Sequence, residues 1–529
     1  MAERDSTGFD YIVIGSGSSG GMLAWSLAQR ADIRVLLLEA GAGGHHWSIR
    51  MPAATRNNYS GGPRNWCFET EPEPYMNNRR LMQPRGKVVG GSSSINGMVF
   101  VRGHRRDYDG WEIDGWGYDD LLPYFRRLET YREGADAYRG GDGPIHVQRL
   151  RDHHPIEDAF LDAGEQAGYG RCPDYNGAEQ EGVCSFDVNL DRGRRSATAA
   201  CLHRILPRAN LDLRSNAHAL RILFEGHRAV GVEYLQHGQR RQARAESEVV
   251  VSAGAFQSPQ LLMLSGIGPA SELRAHGIDV LQDLPGVGEN LHDHLEVHVK
   301  YRCARGLSKN RLLSRHRMLA AGIQWFLFRN GPAATTPSRV GAFLCTDDEV
   351  DYPNFQYHFW PFYLEGWSPP PHKDGYCFDV GPVRSASRGR VWLAGADPLL
   401  PPRILLNGLS TERDRMEFRR GIEMTREIAA QRAFARFDGR EVSPGPEVRS
   451  DADLDAYVRA NANSAYHPCG TCRIGDDEHA VVDRRLRVRG VEGLRVADAS
   501  VIPSITNGNI NAPCLMIGAR AADLLLADV

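Results

Sequence analysis

Phe9-Asp-Tyr-Ile-Val-Ile14 runs straight into Gly15-Ser-Gly17-Ser18-Ser-Gly20. A helix-forming stretch follows from Gly21 to Arg30, and a second apolar run, Ile33 to Leu38, ends in Glu39. Strand, glycine turn, helix, strand and terminal acid make one unit of the dinucleotide-binding kind. Gly15 permits the tight turn, Gly17 lets the backbone approach a pyrophosphate, and Gly20 lets helix and strand pack closely. The helix start offers unpaired N–H groups to phosphates. Glu39 lies nineteen residues past Gly20 (39 − 20) and is placed to accept hydrogen bonds from ribose hydroxyls. This unit alone does not separate a flavin dinucleotide from a nicotinamide one.

The chain has 529 residues, more than one ordinary core holds, so two packed domains are expected. Hydrophobic residues make up 42% and charged residues 24%, a globular composition. A formal net charge of −3 suggests neither nucleic acid nor an anionic membrane surface as a partner. The pairs Arg194-Arg195 and Arg484-Arg485 read as solvated faces. The ten cysteines show no disulfide framework, and the close pair Cys469 and Cys472 reads as ordinary reduced thiols. Residues 11–14 are apolar, but no basic region precedes them as in a signal peptide. No run approaches the ~20 apolar residues of a membrane helix. The expectation is a cytoplasmic protein without an integral membrane segment, with peripheral membrane contact left open.

Two more segments are rich in small residues. Gly86-Lys-Val-Val89-Gly90-Gly91-Ser-Ser-Ser94-Ile95-Asn96-Gly97-Met-Val-Phe100 lets backbone come close to a flat ligand, with Asn96 placed to hydrogen-bond a heterocycle edge. A strand from Val249 to Ser252 leads into Gly254-Ala-Phe-Gln-Ser258-Pro259-Gln-Leu-Leu-Met-Leu-Ser265-Gly266-Ile-Gly268. Residues 259–264 there suit a helix with Pro259 near its first turn.

In these two segments the sequence resembles the glucose–methanol–choline (GMC) oxidoreductase family at nearly every position of its two signature patterns. The resemblance runs from Phe9 to Leu526. Asn65-Trp66-Cys67, Phe100-Val-Arg-Gly-His104, Gly286 to Glu296 and Ser464 to Cys472 are most similar to the choline dehydrogenases within it. The resemblance implies an α/β protein: an FAD-binding Rossmann-like (GMC oxidoreductase) fold with an antiparallel-sheet substrate-binding domain. It implies FAD as cofactor, touched by Gly15, Gly17, Ser18, Gly20, Glu39 and Ala40 from the first unit. Val89, Gly90, Gly91, Ser94, Asn96 and Gly97 would touch it from the first signature, and Ala219, Ala253, Asp498, Ala499 and Asn511 from further on. Some members attach the flavin through a histidine just before the signature asparagine. Ile95 holds that position here and cannot form the bond, so the FAD is expected to be non-covalent.

Gly493-Leu-Arg-Val-Ala-Asp498-Ala-Ser500 reads as a strand ending in an acid, at the sheet edge where ligands sit. Asp498 is expected near the ribityl or pyrophosphate region, a plain turn aspartate being the alternative. Thr506-Asn-Gly-Asn-Ile-Asn511-Ala-Pro513 precedes a helical pattern from Cys514 to Leu526, with Asn511 suited to cap it and Pro513 to its first turn. By resemblance the positive end of that helix lies near the flavin N1 and C2 carbonyl, where reduction puts negative charge. His467 matches the family histidine that lies over the flavin face beside the substrate hydroxyl. Its partner at the second matching position is assigned to Asn511. Hydride leaves an alcohol carbon easily only as the hydroxyl proton departs, so a base of near-neutral pKa is needed within reach.

Glu296 stands in Asp293-His294-Leu295-Glu296. This resembles the Asp-His-Pro-Glu stretch of choline-oxidising members, whose glutamate faces the trimethylammonium head. A structural salt bridge and solvent exposure are the alternatives. Aromatic faces would complete a cation site: Tyr466 adjoins His467, and Trp66, Trp325, Trp360 and Phe362 are cage candidates. His292, Asp293 and His294 are adjacent on one loop and make a poor ligand set, so no metal is expected. The expected activity is oxidation of an alcohol (CH–OH donor) to an aldehyde by hydride transfer to flavin N5, best of choline or a similar quaternary ammonium alcohol. Dehydrogenase and oxidase are not separated, and oxygen, quinone or another acceptor stays open. Neutral primary alcohols are the first alternative. A flavin-containing hydroxynitrile lyase and a flavin module without catalysis are less favoured. The FAD domain is expected to be discontinuous, from residues 1–45, 80–150, 195–300 and 465–529. The substrate domain would take 46–79, 151–194 and 301–464, with antiparallel strands near 352–360, 376–383 and 388–394 and a helix over 412–431.

Overall fold

Ile12, Val13, Val35, Leu36 and Leu37 are fully buried, as parallel strands covered on both faces require. The computed structural model describes residues 3–4, 8–366 and 369–528. In it Phe9–Ile14 and Val35–Leu38 pair in parallel, Tyr11 opposite Val35, with helix Ser18–Leu27 between them in sequence. Leu211–Arg214 adds beside Val35–Leu38. On the other side of Phe9–Ile14 lies the end of Gln239–Val251, and Leu494–Val496 pairs with that end, again in parallel. Gln239–Val251 has 13 residues and shifts register between Ala245 and Glu248. Its first half pairs antiparallel with Arg228–Gln236, which pairs in turn with Ala217–Glu225. One strand is therefore shared by a parallel nucleotide-type sheet and an antiparallel meander. Helix Asn511–Leu526 packs along Ser18–Leu27. Gly518 allows the contact, since a Cβ there would lie 2.1 Å from the Ser19 carbonyl oxygen.

A second sheet has the order Arg440–Ser443, Leu295–Arg302, Gly375–Pro382, Phe355–Trp360, Val340–Leu344, Gly182–Ser185. It is antiparallel throughout, with Asn463–Ser464 added to the start of Leu295–Arg302. Its own apolar core includes Phe160, Phe359, Phe378 and Phe434, separate from the core under the parallel sheet. The boundary expected at residue 300 falls inside Leu295–Arg302, whose first residues carry the site described below. Two of the three expected strands lie in this sheet, but Arg390–Trp392 pairs with Arg403–Leu405 instead. Helix Glu412–Ala429 starts at Thr411, whose Oγ1 accepts the Asp414 N–H at 3.3 Å.

Two local readings change. The second-signature helix begins at Gly254 and holds Pro259 in its interior. Proline has no N–H for the carbonyl four residues back; that carbonyl, of Ala255, accepts from Thr471 Oγ1 at 2.6 Å. Arg195 is buried rather than solvated. It donates to Asn96 O (2.6 Å), Asn96 Oδ1 (2.7 Å) and Thr55 Oγ1 (2.8 Å). Cys469 and Cys472 are buried free thiols whose pKa values burial pushes well up. Among the described residues no helix is long and apolar enough to cross a membrane.

Candidate active site

One cavity extends from the Gly15–Gly17 turn to the face of the antiparallel sheet, where Glu296, His358, Trp360 and Asp379 line it from inner strands. Gly15 has φ +100°, and a Cβ there would sit 2.3 Å from Ser252 O. At Gly20 a Cβ would sit 2.1 Å from Gly15 O, so Gly20 packs helix on strand and is not itself on the wall. Gly17, Gly97 and Gly254 differ. They line the cavity, and a Cβ on any of them would meet nothing within 4 Å. Their missing side chains leave the backbone open to close approach by a ligand. Ser18, Ala40, Gly91, Ala219, Ala253 and Ala499 also line the cavity. Val89, Gly90 and Ser94, expected to do so, stand behind it: Gly90 turns the chain at φ +90°, and Ser94 Oγ donates to Val89 O at 2.8 Å.

Two carboxylates brace the nucleotide end. Glu39, on the wall, accepts from Ser16 Oγ at 2.6 Å and from the Gly41 N–H at 2.8 Å. Asp498 accepts from the Gly254 N–H (2.8 Å), Ser258 Oγ (2.5 Å) and the Ser500 N–H (2.7 Å), joining two segments at the wall. Asn96 Oδ1 is occupied by Arg195 and by the Met98 N–H at 3.1 Å, so only its amide donor remains to offer. Ile95 is buried on the wall.

The base is built by an antiparallel zip of residues 291–296 against 463–469. Leu295 faces Ser464, Ala465 N–H donates to His294 O at 2.8 Å, and His292 and Cys469 exchange both backbone bonds. Asp293 accepts from the His467 N–H at 2.8 Å and from Ser464 Oγ. Burial raises its pKa to about 6. Arg85 Nη2 donates to Tyr466 O at 2.7 Å, holding Tyr466 at φ +67°.

This scaffold fixes a tautomer. His294 Nε2 lies 3.0 Å from the Val383 carbonyl, which only accepts, so that nitrogen carries the proton. Burial lowers the His294 pKa to about 4, so the ring is neutral and its Nδ1 is a lone pair. His467 Nδ1 lies 3.1 Å from that lone pair and must donate to it. Burial, then the neighbouring His294, holds the His467 pKa well below the ordinary histidine value. The neutral His467 thus has a bare Nε2, the form a general base requires.

The partner of Nε2 is Asn509, whose Nδ2 lies 3.0 Å away; Asn509 Oδ1 accepts from Gln356 Nε2 at 3.3 Å. This corrects the assignment to Asn511. Asn511 is the first residue of its helix rather than its cap, and its Oδ1 accepts from Ser18 Oγ at 2.8 Å. The repeated Asn-x-Asn-x-Asn pattern contains both residues, and only the helix start separates their directions.

At the far end of the cavity Glu296 is joined by Asp379 and His358, with one ligand-type atom from each within 4.8 Å of the others. Burial, and then the charge of Asp379, hold the Glu296 pKa well above the usual carboxylate range. His358 is lowered by burial despite Asp379. Tyr59, Tyr466 and Trp360 share this wall, the two tyrosine rings edge-on at 5.7 Å. Trp66 also lines the cavity, with Lys87 Nζ 4.3 Å from its ring centre. Trp325 does not. It is buried with Met51, Ala54 and Ala333, and its Nε1 donates to Gly193 O at 2.7 Å. Phe362 is likewise off the wall. Sequence reading missed His294, Asp379, His358, Tyr59 and Asn509. Only His294 and Asn509 left a signal, through their motifs.

GMC oxidoreductase family patterns match residues 9–296 and 385–518. The chain belongs to the GMC oxidoreductase family. It is 46% identical to an oxygen-dependent choline dehydrogenase of Paraburkholderia xenovorans, over 97% of this chain and 94% of that one. It is 45% identical to the mitochondrial choline dehydrogenase of Mus musculus, over 98% and 89%. Among solved structures it is similar to pyridoxine 4-oxidase from Mesorbium loti (TM-score 0.89, 31% identity, 97% of this chain and 98% of that one). It is also similar to formate oxidase of Aspergillus oryzae (TM-score 0.92, 28% identity, 99% of each chain). This GMC oxidoreductase is an FAD-dependent enzyme of alcohol oxidation. The residues fit that cofactor: three glycines open the wall, and the buried Nδ2 of Asn511, at the start of a helix, has no partner among the described residues.

Proposed function

We propose that the enzyme oxidises choline or a close quaternary ammonium alcohol to its aldehyde. One observation carries the reading: Glu296 and Asp379 stand together on a wall with Tyr59, Tyr466 and Trp360, in the same cavity as His467. Burial and the neighbouring charge of Asp379 favour the protonated form of Glu296. A quaternary ammonium head releases that proton and satisfies both carboxylates, while the aromatic faces supply cation–π attraction of about 0.5–2 kcal/mol each. A neutral alcohol gives the pair nothing. The names of the choline dehydrogenase relatives support the same reading.

His467 Nε2 takes the hydroxyl proton. Asn509 Nδ2 donates to the substrate oxygen as negative charge grows there, without competing for the proton. Asp293 holds the His467 backbone, and His294 holds its tautomer. Bound FAD supplies the hydride acceptor.

The test is Glu296→Gln, with choline compared to its uncharged isostere 3,3-dimethylbutanol. Loss of a buried charge contact costs about 2–5 kcal/mol, so choline binding should weaken by a factor on the order of 30 or more, and the isostere hardly at all. Equal losses on both substrates, or a wild-type enzyme without preference for the cation, would reject the assignment in favour of neutral primary alcohols.

A further inference from the structure

Helix Arg315–Phe328 buries one side chain, Trp325. On the rest of it Met318 (54% exposed), Leu319 (65%), Ile323 (53%), Phe326 (51%), Leu327 (67%) and Phe328 (67%) face water. Single exposed apolar residues need no explanation, but a continuous patch does. Leu319, Ile323, Phe326 and Leu327 fall at i, i+4, i+7 and i+8, one stripe along the helix. Trp47 extends it, its ring 6.3 Å from that of Phe326.

Both ends of the stripe are basic. Arg311, Arg315 and Arg317 lie at the start, exposed and without an ion pair among the described residues. Beyond Phe328 a crevice is lined by Arg192, Gly193, Arg194, Phe328 and Arg329. Arg50 adjoins this crevice; burial, then the charges of Arg194 and Arg329, hold its pKa down. Arg194 Nε is buried with no partner among the described residues. No Asp or Glu occurs between Glu296 and Asp347. The net charge of −3 conceals this tract, and the sequence reading that set aside an anionic membrane surface averaged over it.

We propose that this helix docks the enzyme on an anionic phospholipid bilayer, lying in the membrane plane with its apolar stripe among the acyl chains and the arginine crevice on headgroup phosphates. An apolar stripe flanked by arginines and free of acids is the pattern of an interfacial helix. A second copy of the chain suits the surface poorly, because a two-fold contact would set the same arginines against each other with no acid between. A soluble anion would fill the crevice and leave the stripe in water.

The test is flotation of the FAD-loaded enzyme with vesicles of phosphatidylcholine, with and without phosphatidylglycerol. Binding should require phosphatidylglycerol and fall with salt. Arg192→Gln/Arg194→Gln should weaken it by about 5-fold per charge removed, and Leu327→Gln/Phe328→Gln by at least about 10-fold. Flavin content and turnover in solution should match wild type, which separates lost docking from misfolding. Equal binding to neutral vesicles, no binding, or binding that survives both variants would overturn the proposal. A lipid-free dimer that Leu327→Gln/Phe328→Gln dissociates would overturn it in favour of self-association.

Discussion

His294 Nδ1 stands 3.1 Å from His467 Nδ1, so the proton on one imidazole is set by the other. His294→Leu removes the acceptor and leaves a buried donor unpaired, at about 1–3 kcal/mol. Flavin reduction in stopped flow should slow by roughly 5- to 150-fold at that cost. His294→Gln, which still offers an oxygen, should recover most of the rate. His467→Ala should lose about 10²–10⁴-fold while keeping FAD. A His294→Leu enzyme that reduces at the wild-type rate would remove the relay from the mechanism.

The pH dependence should differ between charged and uncharged substrates. Glu296 has its pKa raised, so it is uncharged on the acid side and gains its charge as pH rises. His467 has its pKa lowered, so its base form persists below the ordinary histidine range and is lost only in stronger acid. For choline, kcat/KM should therefore fall on acidification at a higher pH than for 3,3-dimethylbutanol. Superimposable profiles would show that the acid pair does not meet the cation.

Asn509 and Asn511 should separate by phenotype. Asn509→Ala should slow flavin reduction by about 10-fold with FAD retained, since its amide serves His467 Nε2. Asn511→Ala should instead weaken FAD retention, since Ser18 Oγ loses its acceptor. The reverse pattern would restore the assignment made from sequence.

Ile95 gives the flavin no linking atom. Acid precipitation should leave yellow FAD in the supernatant, and flavin found in the pellet would contradict non-covalent binding.

The nucleotide unit was legible because its chemistry is local. Gly15, Gly20 and Glu39 sit where a turn, a helix–strand contact and a strand end demand them. His467 and Glu296 were legible through their motifs. What was not legible depends on register and on distant partners. Asp379 comes within reach of Glu296 only because Val297 pairs with Val380 across two strands. Trp325 reads as an aromatic cage member in sequence, yet it anchors a surface helix. Asn509 and Asn511 differ only in the position of a helix start, and helix ends are the least sharply encoded feature of a sequence. The acid-free tract after Glu296 was readable, but a whole-chain charge sum erased it.

Thr471 should matter for stability more than for catalysis. Thr471→Val leaves the Ala255 carbonyl unpaired beside Pro259, at about 1–3 kcal/mol. Thermal melting should show the loss, and an unchanged melting temperature would mean that water replaces the hydroxyl.

The strand Gln239–Val251 receives Phe9–Ile14 on one side and Leu494–Val496 on the other, and the first helix packs on Asn511–Leu526. During synthesis, then, Phe9–Ile14 meets Val35–Leu38 early but must wait for its other neighbour, Gln239–Val251, far downstream. A ribosome-bound chain without helix Asn511–Leu526 lacks the acceptors of Ser18 Oγ and Ser19 Oγ, Asn511 Oδ1 and Cys514 O. Flavin capture therefore follows the emergence of Asn511–Leu526, and the edge of Phe9–Ile14 that faces Gln239–Val251 stays open to chaperones until that strand has been made.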